Sequence, residues 1–154
     1  MKIIDTEQLT IELKEKILKL WNQEYPEKLK LDGLPGLEKY LAGVKEQNHF
    51  FLTDNTDNIT GWAFTFLREN EKWFAIILNK EFHHLGYGTL LLSELKAKEI
   101  KLNGWVIDQG TDKKQNGESY ISPLDFYLKN GFVIIPGVRM EMNKISGIKI
   151  QWSK

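Results

Sequence analysis

Asn79-Lys80-Glu81-Phe82-His83-His84-Leu85-Gly86-Tyr87-Gly88-Thr89 is the stretch on which the fold turns. It follows the apolar run Trp73 to Leu78 and precedes Leu90-Leu91-Leu92, so it reads as a strand-to-helix junction. Two glycines one residue apart let the backbone turn tightly and approach a ligand closely. The free N–H groups and positive dipole end of the following helix suit a phosphate. The same glycines would also serve a tight connection with no ligand. A dinucleotide fingerprint needs a third glycine where Leu91 stands, and a P-loop needs a Gly-Lys-Ser/Thr that is absent.

Working outward, His49 to Thr53, Ile59 to Leu67 and Lys72 to Leu78 are rich in β-branched and aromatic residues and separated by polar turns, which predicts an antiparallel meander. Before them, Leu13, Ile17, Leu20 and Trp21 mark one face of a helix ended by Pro26. A first strand over Lys2 to Asp5 and a short helix over Leu37 to Val44 complete the amino-terminal part. Downstream, a helix runs from Thr89 to about Lys101 with Ile100 on its apolar side and Asn103-Gly104 as a left-handed stop. Trp105 to Asp108 reads as a buried strand. Ser122-Pro123-Leu124-Asp125 opens a helix that Asn130-Gly131 closes. Phe132 to Ile135, Val138 to Met142 and Ile148 to Trp152 read as two closing strands, with Pro136-Gly137 a bulge or turn. The order is β-αα-βββ-α-β-α-ββ. The helix between the third meander strand and the Trp105 strand is a crossover, so that pair is parallel within a mixed α/β sheet.

Composition narrows the chemistry. A chain of 154 residues with 42% hydrophobic and 12% aromatic residues fits one folded domain. With no cysteine there is no thiolate nucleophile and no cysteine-ligated metal. Lys plus Arg and Asp plus Glu are 21 each, which gives no general attraction to nucleic acid or an anionic membrane. The opening Met1-Lys2-Ile3-Ile4-Asp5-Thr6-Glu7 lacks the apolar core of a signal peptide, and no run is long enough to span a bilayer, so a cytoplasmic protein is expected. Adjacent His83 and His84 do not point to metal, because neighbouring side chains diverge and no further ligands complete a tetrahedron.

A second motif fixes the reading. Leu124-Asp125-Phe126-Tyr127-Leu128-Lys129-Asn130-Gly131-Phe132 resembles the Phe/Leu-Tyr-x-x-x-Gly-Phe element of the GNAT N-acetyltransferases. Their other signature, Gln/Arg-x-x-Gly-x-Gly/Ala, resembles His83 to Gly88, with Gly86 and Gly88 on its glycines and His83 where Gln or Arg is usual. The element order along the chain is similar to the family's as well. The resemblance implies acetyl-CoA as co-substrate and no metal. It makes the backbone of His83, His84, Leu85, Gly86, Tyr87, Gly88 and Thr89 the pyrophosphate cradle.

The resemblance further implies that Ile76 and Leu78 bond the pantetheine arm where two parallel strands splay, with the Leu78 N–H polarising the thioester carbonyl. It makes Tyr127 a cofactor contact and general acid towards the departing thiolate. Tyr120 stands where many members carry a cofactor-binding asparagine, a role that Ser119 or Ser122 would take over. Asp108, at a strand end facing the cleft, is the candidate general base, since burial would raise its pKa. A loop-capping role for Asp108 is equally open. The segment Gly110 to Ser119 reads as a flexible polar loop, with Lys113 and Lys114 as solvated charge.

The expected reaction is direct attack of a primary amine on acetyl-CoA in a ternary complex. The acceptor is a small molecule or peptide, and the protein is a monomer or homodimer with no nucleic-acid or membrane partner. The alternative is a non-catalytic acyl-CoA-binding or sensory module with the same fold.

Overall fold

The computed structural model describes residues 1–142 and 145–154. Seven strands, β1 (Lys2–Thr6), β2 (Lys45–Thr53), β3 (Ile59–Arg68), β4 (Glu71–Leu78), β5 (Lys101–Ile107), β6 (Val133–Met142) and β7 (Ile145–Ser153), form one sheet ordered β1-β2-β3-β4-β5-β7-β6. Among the described residues, only β4 and β5 run parallel. That is the pair which the crossover helix requires. Helices α1 (Ile11–Glu24) and α2 (Gly33–Ala42) cover one face, and α3 (Tyr87–Lys98) and α4 (Leu124–Lys129) cover the other.

Strand periodicity divides the apolar residues between two cores. Trp62, Phe64 and Phe66 of β3 and Trp73 and Ile77 of β4 pack with Ile17, Leu20, Trp21, Leu37 and Leu41. Ala63 and Phe74, which point the opposite way, pack with Leu91, Leu92 and Leu95 of α3 and with Tyr127 and Phe132. Both faces of β3 and β4 are packed into apolar cores, which is why these strands read as nearly continuous apolar runs. Among the described residues, no helix is long and apolar enough to cross a membrane.

Asn103-Gly104 is not a helix stop. The helix ends at Lys98, and these residues lie inside β5, which begins at Lys101 rather than Trp105. Asn103 is fully buried; its Nδ2 donates to the Lys72 carbonyl at 3.0 Å and its Oδ1 accepts from Gln151 at 2.9 Å. Gly104 leaves room for an aromatic ring, since a Cβ there would lie 2.7 Å from Cε1 of Phe74. Ile100, expected on the apolar side of the helix, is 78% exposed beyond its end. Helix α2 begins at Gly33, so Pro35 lies within its first turn, where a missing N–H costs no helical bond. Pro136-Gly137 is a bulge: β6 continues through it, with a register shift against β7 between Ile134 and Arg139.

Candidate active site

The site begins with a break in the sheet. Strands β3 and β4 stay in register from Arg68 opposite Glu71 to Gly61 opposite Leu78, whereas β4 and β5 pair at Trp73 with Asn103 alone. Past that point the outer edge of β4 is open. Asn79 donates its amide to the Thr60 carbonyl at 2.9 Å, which makes it a hydrogen-bonded position of the β3–β4 ladder. Antiparallel ladders alternate, so the N–H and C=O of Leu78 and of Ile76 turn away from β3 and into the gap.

The chain leaves β4 through a 3-10 turn at Lys80–Phe82. His84 then takes a left-handed φ of 61° and Gly86 one of 86°, where Gly86 caps α3 without a side chain. The first helical bond runs from the Leu90 amide to the Gly86 carbonyl at 3.0 Å, so the amides of Tyr87, Gly88 and Thr89 are the helix's unpaired donors. A Cβ on Gly86 would meet nothing within 4 Å. Gly88 differs: its Cβ would lie 2.9 Å from Cζ of Phe126, so its bare Cα serves the approach of α4 to α3. His84 and Leu85 are exposed, and the Tyr87 ring meets Phe82 edge-on with centroids 6.2 Å apart. The His83 ring bends back to the strand, with Nε2 2.8 Å from the Leu78 carbonyl oxygen.

Tyr127 sits on α4 with its ring edge-on to Phe74, Phe126 and Phe132, at centroid distances of 5.6, 5.1 and 5.5 Å. It belongs to the core against which Ile76, Leu78 and Tyr87 also pack, which brings these four residues to one face of the sheet. Burial is the main cause that pushes its phenol well above the ordinary range, with Tyr120 adding to it. Tyr120 is raised as well, by burial and then by the charge of Asp112. Ser122 stands at the entry to α4, where its hydroxyl accepts from the Leu124 amide at 3.3 Å.

Asp108 corrects the expectation of a raised carboxylate. It lies just past β5 and faces the β6–β7 hairpin, where both its oxygens accept from Arg139 at 3.0 Å. The guanidinium holds its carboxyl below the usual range and outweighs the effect of burial. A carboxylate so held is a weak base. Its geometry ties the end of β5 to β6, in a network that continues through Arg139 to Ser146 and Glu141.

The polar segment after β5 is also more structured than its composition suggests. Lys113 and Ser119 pair as a short hairpin, and Lys114 bridges to Pro26 at the end of α1. The Glu27 amide donates to the Lys113 carbonyl at 2.8 Å. Lys114 is buried rather than solvated: its Nζ lies 3.0 Å from Oε1 of Glu24, itself only 6% exposed. Oε2 of Glu24 accepts from the Lys80 amide at 3.3 Å. One carboxylate thus ties together α1, the hairpin and the turn after β4. Sequence reasoning missed Glu24, although it continues the buried stripe of Ile17, Leu20 and Trp21 at helical spacing. Asp112, 1% exposed, was missed too; it holds Lys28 at 3.1 Å and Gln109 at 3.3 Å.

No protein-family model and no curated protein matches the sequence. Solved structures do match in shape. An aminoglycoside 6'-acetyltransferase type Ii has a TM-score of 0.75 at 17% identity, over 99% of this chain and 97% of that one. A GNAT-family acetyltransferase from Staphylococcus aureus Mu50 has a TM-score of 0.68 at 17% identity, over 99% of each chain. A mutant spermidine N-acetyltransferase from Vibrio cholerae has a TM-score of 0.65 at 14% identity, over 99% of this chain and 95% of that one. With the open β4 edge leading to a glycine-capped helix, and with acetyltransferase structures that include a GNAT-family member matching over 99% of its length, the chain has the fold of the GNAT acetyltransferases.

Proposed function

We propose that the protein transfers the acetyl group of acetyl-CoA to a primary amine of a small molecule or peptide, by direct attack in a ternary complex. The observation that carries this reading is the open β4 edge, with the N–H and C=O of Ile76 and Leu78 facing a gap that starts beyond Trp73. An extended chain with secondary amides fits such an edge as an added strand. The donors of Tyr87, Gly88 and Thr89, with the open space over Gly86, fit a pyrophosphate.

Acetyl-CoA supplies the activated acyl group. In the balanced reaction a carbon–nitrogen bond forms, the carbon–sulfur bond breaks, and one proton passes from nitrogen to sulfur. The Leu78 N–H polarises the acyl carbonyl. Tyr127 is the general acid at the sulfur. Burial keeps its hydroxyl protonated, so it is always a donor. The thiolate of a thiol near pKa 8.5 is a weaker base than tyrosinate, so the phenol acts chiefly by sharing its proton in a hydrogen bond as the carbon–sulfur bond breaks, and the thiolate then takes its proton from water. The pairing of Asp108 with Arg139 leaves water as the means of taking the amine's proton, and it favours a second reading, an acyl-CoA-binding module without turnover.

Isothermal titration with acetyl-CoA, followed by a thiol-release screen of amines, separates the readings. Binding with turnover supports the transferase, and binding without turnover across a broad amine panel supports the module. No binding removes both.

A further inference from the structure

We infer that His83 is the resident occupant of the β4 edge: its imidazole holds the Leu78 carbonyl in the free protein, and an incoming amide ligand exchanges that bond for its own. The inference rests on the proposed use of this edge and adds a residue that controls entry to it.

Leu78 is the last residue of β4, and its carbonyl points into the gap where β5 has already diverged. A strand carbonyl needs a donor. His83 provides one from five residues downstream, across 2.8 Å. A carbonyl only accepts, so the bond defines Nε2 as the protonated ring nitrogen. The backbone is set for the reach by the 3-10 turn, in which the His83 amide donates to the Lys80 carbonyl at 3.1 Å.

The ring is not locked in place. His83 is exposed, and the nearest aromatic is His84, at 6.2 Å between centroids. Rotation about the side-chain torsions frees the carbonyl without moving the strand. An extended ligand that pairs along Ile76 and Leu78 presents an N–H to the same oxygen. The imidazole and the ligand amide are donors of the same kind at one acceptor, so entry costs the ligand one protein hydrogen bond.

The experiment titrates coenzyme A into wild type, His83→Ala and His83→Phe, and follows the Nε2–H of His83 by 15N NMR in the wild type. Losing one competing hydrogen bond corresponds to binding tighter by about threefold to tenfold in both variants. The Nε2 resonance should shift to that of a solvent-exposed ring at saturation. Equal or weaker binding in the variants, or a resonance unchanged at saturation, overturns the role of His83 and leaves the use of the edge standing. Absence of coenzyme A binding in all three proteins overturns the use of the edge and the inference with it.

Discussion

A methyl group on Gly88 would lie 2.9 Å from Cζ of Phe126, whereas one on Gly86, two residues earlier, would touch nothing. The two glycines of the motif therefore answer different demands. Gly88→Ala is expected to cost about 1–3 kcal/mol by overpacking α3 against α4. Phe126→Leu should recover most of it in urea unfolding. Gly86→Ala should cost about 1–2 kcal/mol through its left-handed φ of 86°, with no rescue by Phe126→Leu. Gly86→Val should abolish acetyl-CoA binding by titration, because its branches fill the space that a phosphate would need.

His49 links stability to pH. It is fully buried, accepts from Nε1 of Trp62 at 3.1 Å through Nδ1, and faces Oε1 of Gln47 at 3.0 Å through Nε2. Accepting from Trp62 needs the neutral ring, whereas Nε2 donates to Gln47 in either protonation state, and burial lowers the ring's pKa from 6.5 to about 4. Between those values the unfolded chain binds a proton that the folded chain refuses. Stability should therefore fall as pH drops from about 6.5 to about 4, by up to about 3 kcal/mol, and should lose nothing further from this group below that. Urea melts of wild type and His49→Phe at pH 7 and pH 4.5 test this. The variant should be less stable at neutral pH and show a flatter pH dependence.

The Glu24–Lys114 pair at 3.0 Å is expected to behave as a buried charge pair. Lys114→Ala should destabilise the protein by about 3–5 kcal/mol, since Glu24 is left uncompensated in the interior. Lys114→Met with Glu24→Gln should recover much of that loss. Thermal unfolding of the two single variants and the double variant gives the coupling directly. Additive losses would show that the two groups do not depend on each other.

Tyr127→Phe removes only the hydroxyl and keeps the ring that packs on Phe74 and Phe132. Once an acceptor is in hand, kcat should fall about 100-fold or more with the acetyl-CoA KM little changed. Because burial holds this phenol well above its ordinary value, the wild-type rate should show no descending limb from its ionisation up to pH 10. Unchanged turnover would remove Tyr127 from the reaction.

Much of this was legible because periodicity reports burial. Trp62, Phe64 and Phe66 announce a strand, and Leu13, Ile17, Leu20 and Trp21 announce a helix, whatever they pack against. The junction at Gly86 was equally plain, since few residues tolerate that backbone, while Pro136-Gly137 read as either a bulge or a turn until the β6–β7 register showed a bulge. What failed was long-range. Asn103-Gly104 has the local chemistry of a helix stop, and only the Lys72 carbonyl, Gln151 and the Phe74 ring make it a strand centre. Lys114 looks solvated until Glu24 is placed beside it, and the basicity of Asp108 depends on Arg139, 31 residues away. Periodicity marks Glu24 as buried, but nothing local says which residue it, or Asp108, will meet.

The single pairing of Trp73 with Asn103 gives β4 two kinds of amide. Those of Ala75 and Ile77 face β3 and belong to an intact ladder, while those of Ile76 and Leu78 face the gap. Deuterium from solvent should therefore enter β4 at every second residue, quickly at Ile76 and Leu78 and slowly between them. A strand in the middle of a seven-stranded sheet would then show, on one side, the exchange behaviour of an outermost strand. Occupation of the gap would be visible as the loss of that alternation.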